Sequence, residues 1–264
     1  MPNFTFQNLE HVGRLGNQLF QVAWVYTQAL FDGTHGFIKP DWQYRNIFSL
    51  PEEMYLPPFG DIVDGGTEYF QDIGWWHGFD DEIRNIFRLS GHAETMLFEY
   101  EDGRFDVANH ICAVHFRRGD YVDNPRHFPL PTDRYYIEAM NNLVEEEYDV
   151  LFYIFSDSIE VVRQQLFANS RFNHLRERML FFHGTVTPVE IADRPKQPLD
   201  WLDMACISKC DSHIIANSTF SWWGAFLSDN KNVIYPSRWF GTHPDVKDIS
   251  WRNMIPSTWV EELC

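Results

Sequence analysis

From Ile111 onward, short runs of β-branched and aromatic residues alternate with stretches of helical spacing. This alternation restricts the possible folds more than any other feature. Candidate strands are residues 111–116, 150–155, 178–182, 213–216 and 232–235, with candidate helices at 133–147, 159–167, 198–210 and 220–228. Strands separated by helix-length segments are the signature of parallel βαβ units, so the spacing predicts an α/β chain. In open parallel sheets, ligands bind beyond the carboxyl ends of the strands. Here those ends read Arg117-Arg118-Gly119-Asp120, Ser156-Asp157-Ser158, His183-Gly184-Thr185 and Asn217-Ser218-Thr219. Polar chemistry thus gathers on one edge of one sheet, and that coincidence outweighs any single motif.

The first of these ends carries the most chemistry. An apolar run from Ile111 to Val114 stops at two adjacent guanidinium groups, a glycine and a carboxylate. Paired arginines make forked, charge-assisted hydrogen bonds to phosphate in a geometry that lysine cannot copy. On a chain of formal charge -17, such a concentration of positive charge points to a phosphorylated ligand. The competing reading is a pair of surface arginines bridging to neighbouring acids.

The 264 residues allow one large domain or two small ones, and 10 Trp, 11 Tyr and 23 Phe supply a substantial core. The acidic balance argues against nucleic acid or an anionic membrane as partner, since both attract Lys/Arg-rich faces. The first ten residues lack a signal pattern, and no apolar run approaches the ~18 residues of a membrane span, so a soluble, cytoplasmic protein is expected. Cys206 and Cys210 lack a second pair at zinc spacing. Reduced thiols are expected, and no metal site. Residues 34–100 are rich in Pro, Gly and aromatics and weakly periodic.

Near the N-terminus, Gly13-Arg14-Leu15-Gly16-Asn17-Gln18 precedes an amphipathic stretch in which Leu19, Phe20, Val22, Ala23, Tyr26, Ala29 and Leu30 share a helical face. Glycines before a helix let backbone N–H groups approach an anion, although a tight turn without any ligand reads the same way.

Taken together, GRLGNQLFQ at 13–21, HFRRGDY at 115–121, FSDS at 155–158 and SHIIANSTFSWWGAFLS at 212–228 resemble the GDP-fucose-dependent α-1,2-fucosyltransferases, glycosyltransferase family eleven. Tyr235-Pro236-x-x-Trp239-Phe240 and Ile255-Pro256-x-x-Trp259 are similar to that family's ending. The resemblance implies a GT-B fold: two Rossmann-like domains facing across a cleft, with residues 1–106 on the acceptor side and 107–264 binding GDP-fucose. It further implies an inverting, metal-independent transfer of L-fucose to the 2-hydroxyl of a galactose in a glycan, without a cofactor. Lacking an anchor, the chain looks like the soluble bacterial or viral type.

Roles for individual residues follow from that resemblance. Arg117 and Arg118 would hold the pyrophosphate and stabilise its developing charge. Both reach one ligand only if the strand breaks after Phe116; if it continues, His115 and Arg117 share a face and Arg118 is structural. Asn217, Ser218, Thr219 and Ser221 would add phosphate donors, or merely cap a helix. Asp157, beside Ser156, would accept from guanine or ribose, or is a solvated turn residue. Gly16, Asn17 and Gln18 would reach the fucose or diphosphate from the other domain. His115 would touch ribose or phosphate, or is a buried core histidine. Trp222 and Trp223 read as core. Asp120 and Asp123 are the nearest candidates for the base that inversion requires, and Asp120 equally suits an orienting partner for an arginine. Two other readings stand beside the fucosyltransferase: a GT-B transferase for another nucleotide sugar or hydroxyl, and a sugar-nucleotide or glycan-binding protein without turnover.

Overall fold

The computed structural model describes residues 2–146, 149–182, 199–228 and 232–264. The His183-Gly184-Thr185 edge and the helix start expected at residue 198 lie outside them.

The chain opens with β1 (Asn3–Thr5), α1 (Leu15–Asp32), β2 (Gly36–Phe37) and β3 (Ile62–Asp64). These strands form a parallel sheet in the order β2-β1-β3, with Phe4 opposite both Gly36 and Val63. Of the apolar face predicted for α1, Leu19, Phe20, Val22, Ala23 and Ala29 are buried, Tyr26 is half-buried, and Leu30 near the helix end is exposed. The irregular stretches flank β3 on both sides, and beyond it lie α2 (Asp80–Ile86) and α3 (Gly91–Glu101). Rings rather than strands organise it. Trp24 stacks on Phe70 at 4.1 Å, and Trp42 contacts Tyr44 and Phe48 at 5.5 and 6.1 Å. Aromatic packing is non-periodic in sequence, which is why this stretch carries no helical or strand pattern.

The predicted βαβ alternation follows: β4 (His110–Phe116), α4 (Asp133–Glu146), β5 (Val150–Ser156), α5 (Ile159–Ala168), β6 (Met179–Phe181), α6 (Asp200–Ser208), β7 (Ser212–Ile214), α7 (Thr219–Leu227) and β8 (Val233–Pro236). A last strand, β9 (Val260–Glu262), was not anticipated, because two of its three residues are exposed and it offers no apolar run. All six strands are parallel, in the order β6-β5-β4-β7-β8-β9. Counted within this sheet the order is 3-2-1-4-5-6, the doubly wound arrangement whose ligand crevice opens where the order reverses. The reversal lies between β4 and β7. Val114, Phe152, Ile154 and Ile214 form the sheet's buried core with Tyr135, Tyr136 and Met140 of α4. Trp222 and Trp223 are fully buried, in line with their reading as core.

Two compact units result, and their limits differ from the expected 106/107 boundary. The first comprises the described residues up to Glu99, 199–201 and Arg252–Pro256; the second holds the rest. Side-chain bonds explain the returning segments. Tyr44 donates to Asp200 at 2.8 Å, and Asn253 donates to Asp72 at 3.0 Å. Tyr100, by contrast, donates to Asp203 within the second unit. Among the described residues, no helix is long and apolar enough to cross a membrane.

Candidate active site

At the end of β4 the chain turns sharply. Arg118 adopts φ -130° and ψ -90°, and Gly119, at φ +34°, opens a short 3-10 turn through Tyr121. A Cβ on Gly119 would lie 2.5 Å from Asp157 Oδ2, so both the backbone angle and the close approach require glycine here. Asp157, at the end of β5, binds this turn twice. Its Oδ2 pairs with Arg117 Nη1 at 2.5 Å, and its Oδ1 accepts from the Arg118 N–H at 3.0 Å. Arg117 Nη2 pairs with Asp120, and its guanidinium lies 5.1 Å from the Tyr121 ring centroid. Arg117 is only 10% exposed, whereas Asp120 is 51% exposed. A largely desolvated fork is therefore held by two carboxylates, in positions that a diphosphate oxygen could take.

The two arginines part company. Arg118 Nη1 donates to Gln165 Oε1 at 2.5 Å, Gln165 donates to Asp133 at 2.7 Å, and Asn169 donates to the other Asp133 oxygen at 2.7 Å. The two guanidiniums, expected to grip one pyrophosphate, thus have separate partners here. β4 ends at Phe116, yet the turn that follows sends the Arg118 side chain toward Gln165 of α5 and, through it, Asp133 of α4. His115 shares Arg117's side of the strand. Burial, with the Arg117 charge second, lowers its pKa to about 3, so the ring is neutral. Its Nδ1 is buried and meets no hydrogen-bond partner among the described residues. Phe220 of α7 lies 5.6 Å from the ring.

Across the sheet reversal, the β7 edge uses most of its polar groups internally. Asn217 Nδ2 donates to the carbonyls of Pro129 and Trp239 at 2.9 and 2.8 Å, while its own carbonyl accepts from the Tyr121 hydroxyl at 3.1 Å. Ser218 Oγ accepts from the Phe220 N–H at 3.3 Å as N-cap of α7, and buried Ser221 donates to the Ser218 carbonyl at 3.4 Å. The side chains of Asn217, Ser218 and Ser221, expected to contact phosphate, are thus engaged by the chain itself. Thr219 stands half-buried at the first position of α7. Ser156 Oγ accepts from the Ser158 N–H at 3.0 Å and shapes the turn.

In the first unit, the glycine turn also closes on itself. Gly13 sits at φ +83°, and a Cβ there would strike the Asn17 side chain. Gln18 is 2% exposed; it donates to the Gly13 carbonyl at 3.3 Å and accepts from Trp42 Nε1 at 2.9 Å. Gln18, expected to contact the donor, has both ends of its amide bonded inside the first unit. Asn17 accepts from Gln71 at 2.9 Å, and Gly16 is buried in the first helical turn. Sequence reasoning missed Tyr121, Gln165, Asp133 and Gln71. Only Tyr121 carried a signal, by adjoining the arginine motif.

Residues 67–240 match the family model for glycosyl transferase family 11. An α-1,2-colitosyltransferase of Escherichia coli is 34% identical over 244 residues, covering 84% of this chain and 75% of that protein. The O-antigen biosynthesis glycosyltransferase WbnK of E. coli is 30% identical over 197 residues, covering 70% and 59%. A galactoside 2-α-L-fucosyltransferase of Caenorhabditis elegans is 28% identical over 200 residues, covering 74% and 49%. This chain thus spans between about half and three quarters of the length of these relatives. The crystal structure of NodZ α-1,6-fucosyltransferase soaked with GDP-fucose aligns with a TM-score of 0.51 over 86% of this chain and 93% of its own, at 12% identity. That likeness concerns the fold, which is of the GT-B class.

Proposed function

This chain belongs to glycosyltransferase family 11, and we propose that it moves L-fucose from GDP-fucose to the 2-hydroxyl of a galactose in a glycan, with inversion and without a metal. One observation carries the reading. Arg117, nearly desolvated, sits where the six-stranded sheet reverses its order, facing two carboxylates that an incoming anion can replace. As the sugar–phosphate bond breaks, negative charge grows on the departing diphosphate, and a preorganised guanidinium stabilises it. The N-terminus of α7 lies at the other side of the same reversal and favours the same charge.

The second unit is then the donor-binding one, and the first faces the acceptor. Asp120 reads as the orienting partner of Arg117 rather than as the base. Once the diphosphate takes an edge of Arg117, Asp157 is released to accept from guanine N1–H and its 2-amino group. His115, neutral and with an unmet Nδ1, offers one polar contact to the ribose or phosphate. Arg118 works through position, holding the turn against Gln165.

The α-1,2-colitosyltransferase relative favours a second reading, in which colitose replaces fucose as the transferred sugar. Incubation with GDP-fucose and lactose, followed by assay of free GDP and product linkage, tests the first. An α-1,2-fucosylated product is expected. GDP release only with a colitose donor would select the second reading, and nucleotide binding without release from either donor would overturn both. Undiminished turnover in EDTA is expected.

A further inference from the structure

We infer that His127, His243 and Asp245 form a binding site for a divalent transition-metal ion, with Zn2+ as the best match. It is distinct from the donor site and organising rather than catalytic. Each of the three offers a ligand atom, and these atoms lie within 4.8 Å of one another. Asp245 Oδ2 stands 3.4 Å from His243 Nδ1 and 3.9 Å from His127 Nε2. Both separations are too long for good hydrogen bonds, whose N···O distance centres on about 2.9–3.0 Å. The shorter one equals the spacing in a tetrahedral site, where metal–ligand bonds of about 2.0–2.2 Å set the ligand atoms roughly 3.4 Å apart, and the longer one closes to it by a small side-chain movement.

The backbone that carries the ligands is held in place before any ion arrives. The His127 and His243 rings stack with centroids 3.7 Å apart, so one ring must turn for both nitrogens to meet one ion. Their loops are laced together by the Gly241 N–H donating to the His127 carbonyl at 2.8 Å and the His243 N–H donating to the Arg126 carbonyl at 2.9 Å. Gly241 lies flat against this ladder; a Cβ there would fall onto the Arg126 carbonyl oxygen. His243 Nδ1 accepts from the Asp245 N–H at 3.3 Å, which leaves Nδ1 without a proton, and an ion displaces this single long bond to take the lone pair. Two imidazoles and one carboxylate suit late first-row ions, whereas Ca2+ and Mg2+ require oxygen-rich sets. The Asp245 side chain is 74% exposed, so water can reach the remaining coordination position.

The same two loops frame the donor side. Pro129 and Trp239 supply the carbonyls that hold Asn217. Phe128 stacks on Tyr121 at 4.6 Å, and Tyr121 carries Arg117 above its ring. An ion at His127 and His243 therefore ties the two loops together and stabilises the fold without touching Arg117 or the reacting atoms, so turnover does not require it.

Isothermal titration of the EDTA-stripped full chain with ZnCl2 tests the site. One ion per chain and a higher melting temperature are expected. Asp245→Asn and His243→Ala should each weaken binding about tenfold or more while leaving the metal-free melting temperature unchanged. Asp245→Asn at an exposed position guards against a variant that fails to fold. Substitution with Co2+ provides a second readout: a tetrahedral visible spectrum without a thiolate charge-transfer band supports the site. Absence of stoichiometric Zn2+ binding, affinity unchanged in both variants, or a thiolate band placing the ion at Cys264 would overturn it.

Discussion

The glycine turn of the first unit closes its polar groups on one another, whereas the arginine turn of the second holds a cation against groups that a ligand can displace. In the first, both ends of the Gln18 amide are bonded within the unit and Asn17 is held by Gln71. In the second, Arg117 faces Asp120 and Asp157, the former open to water. Both turns carry glycine and polar residues before a helix or helical turn. What separates them is exchangeability. A turn whose donors and acceptors are matched internally contributes stability, and one with a buried charge beside solvent-accessible carboxylates can trade partners.

The strongest test removes the exchangeable cation. Arg117→Ala should lower GDP release from GDP-fucose by about 10²–10³-fold while thermal unfolding followed by circular dichroism shifts little. Wild-type turnover in that variant would erase the distinction. Gly119→Val should come next, because it combines a forbidden backbone angle with a collision against Asp157. A loss of about 1–3 kcal/mol of stability is expected, together with weakened GDP binding, read by denaturant titration and calorimetry. Gln18→Leu probes the opposite turn. Leaving the Trp42 N–H and the Gly13 carbonyl without partners should cost about 1–3 kcal/mol of stability with little change in GDP affinity. Lost GDP binding at an unchanged melting temperature would place Gln18 at the ligand after all.

The smallest effect at neutral pH concerns His115. Its folded pKa is depressed to about 3 from the ordinary 6.5, chiefly by burial. Between these values the unfolded chain binds a proton that the folded chain refuses. Its contribution is therefore complete above about pH 6.5 and is lost as pH falls toward 3. His213, lowered to about 4 by burial, acts in the same direction. Denaturation midpoints at pH 7 and pH 4.5 should drop less in His115→Asn than in the parent chain, and an equal drop would show that His115 does not contribute.

How much of this was legible in the sequence varies with the range of the interaction. The strands β4, β5, β7 and β8 lie within two residues of the predicted runs, because strand formation there follows a local apolar pattern bounded by polar turns. The short strands of the first unit and β9 carry no such pattern. The site's edge was legible for the same local reason, but the commitments of its side chains were not. Arg118 meets Gln165 across 47 positions, and Asn217 meets Pro129 across 88. Nothing adjacent to either residue announces its partner.

Sequence by itself set the parallel α/β order, the family likeness and the strand ends at which polar residues collect. Only the tertiary structure decided that Arg117 faces the crevice while Arg118 turns inward, and that Gln18, Ser218 and Ser221 serve the fold. The reason is that backbone periodicity is written over a few neighbouring residues. Whether a polar group is left over for a ligand depends on every other group the folded chain brings within reach of it.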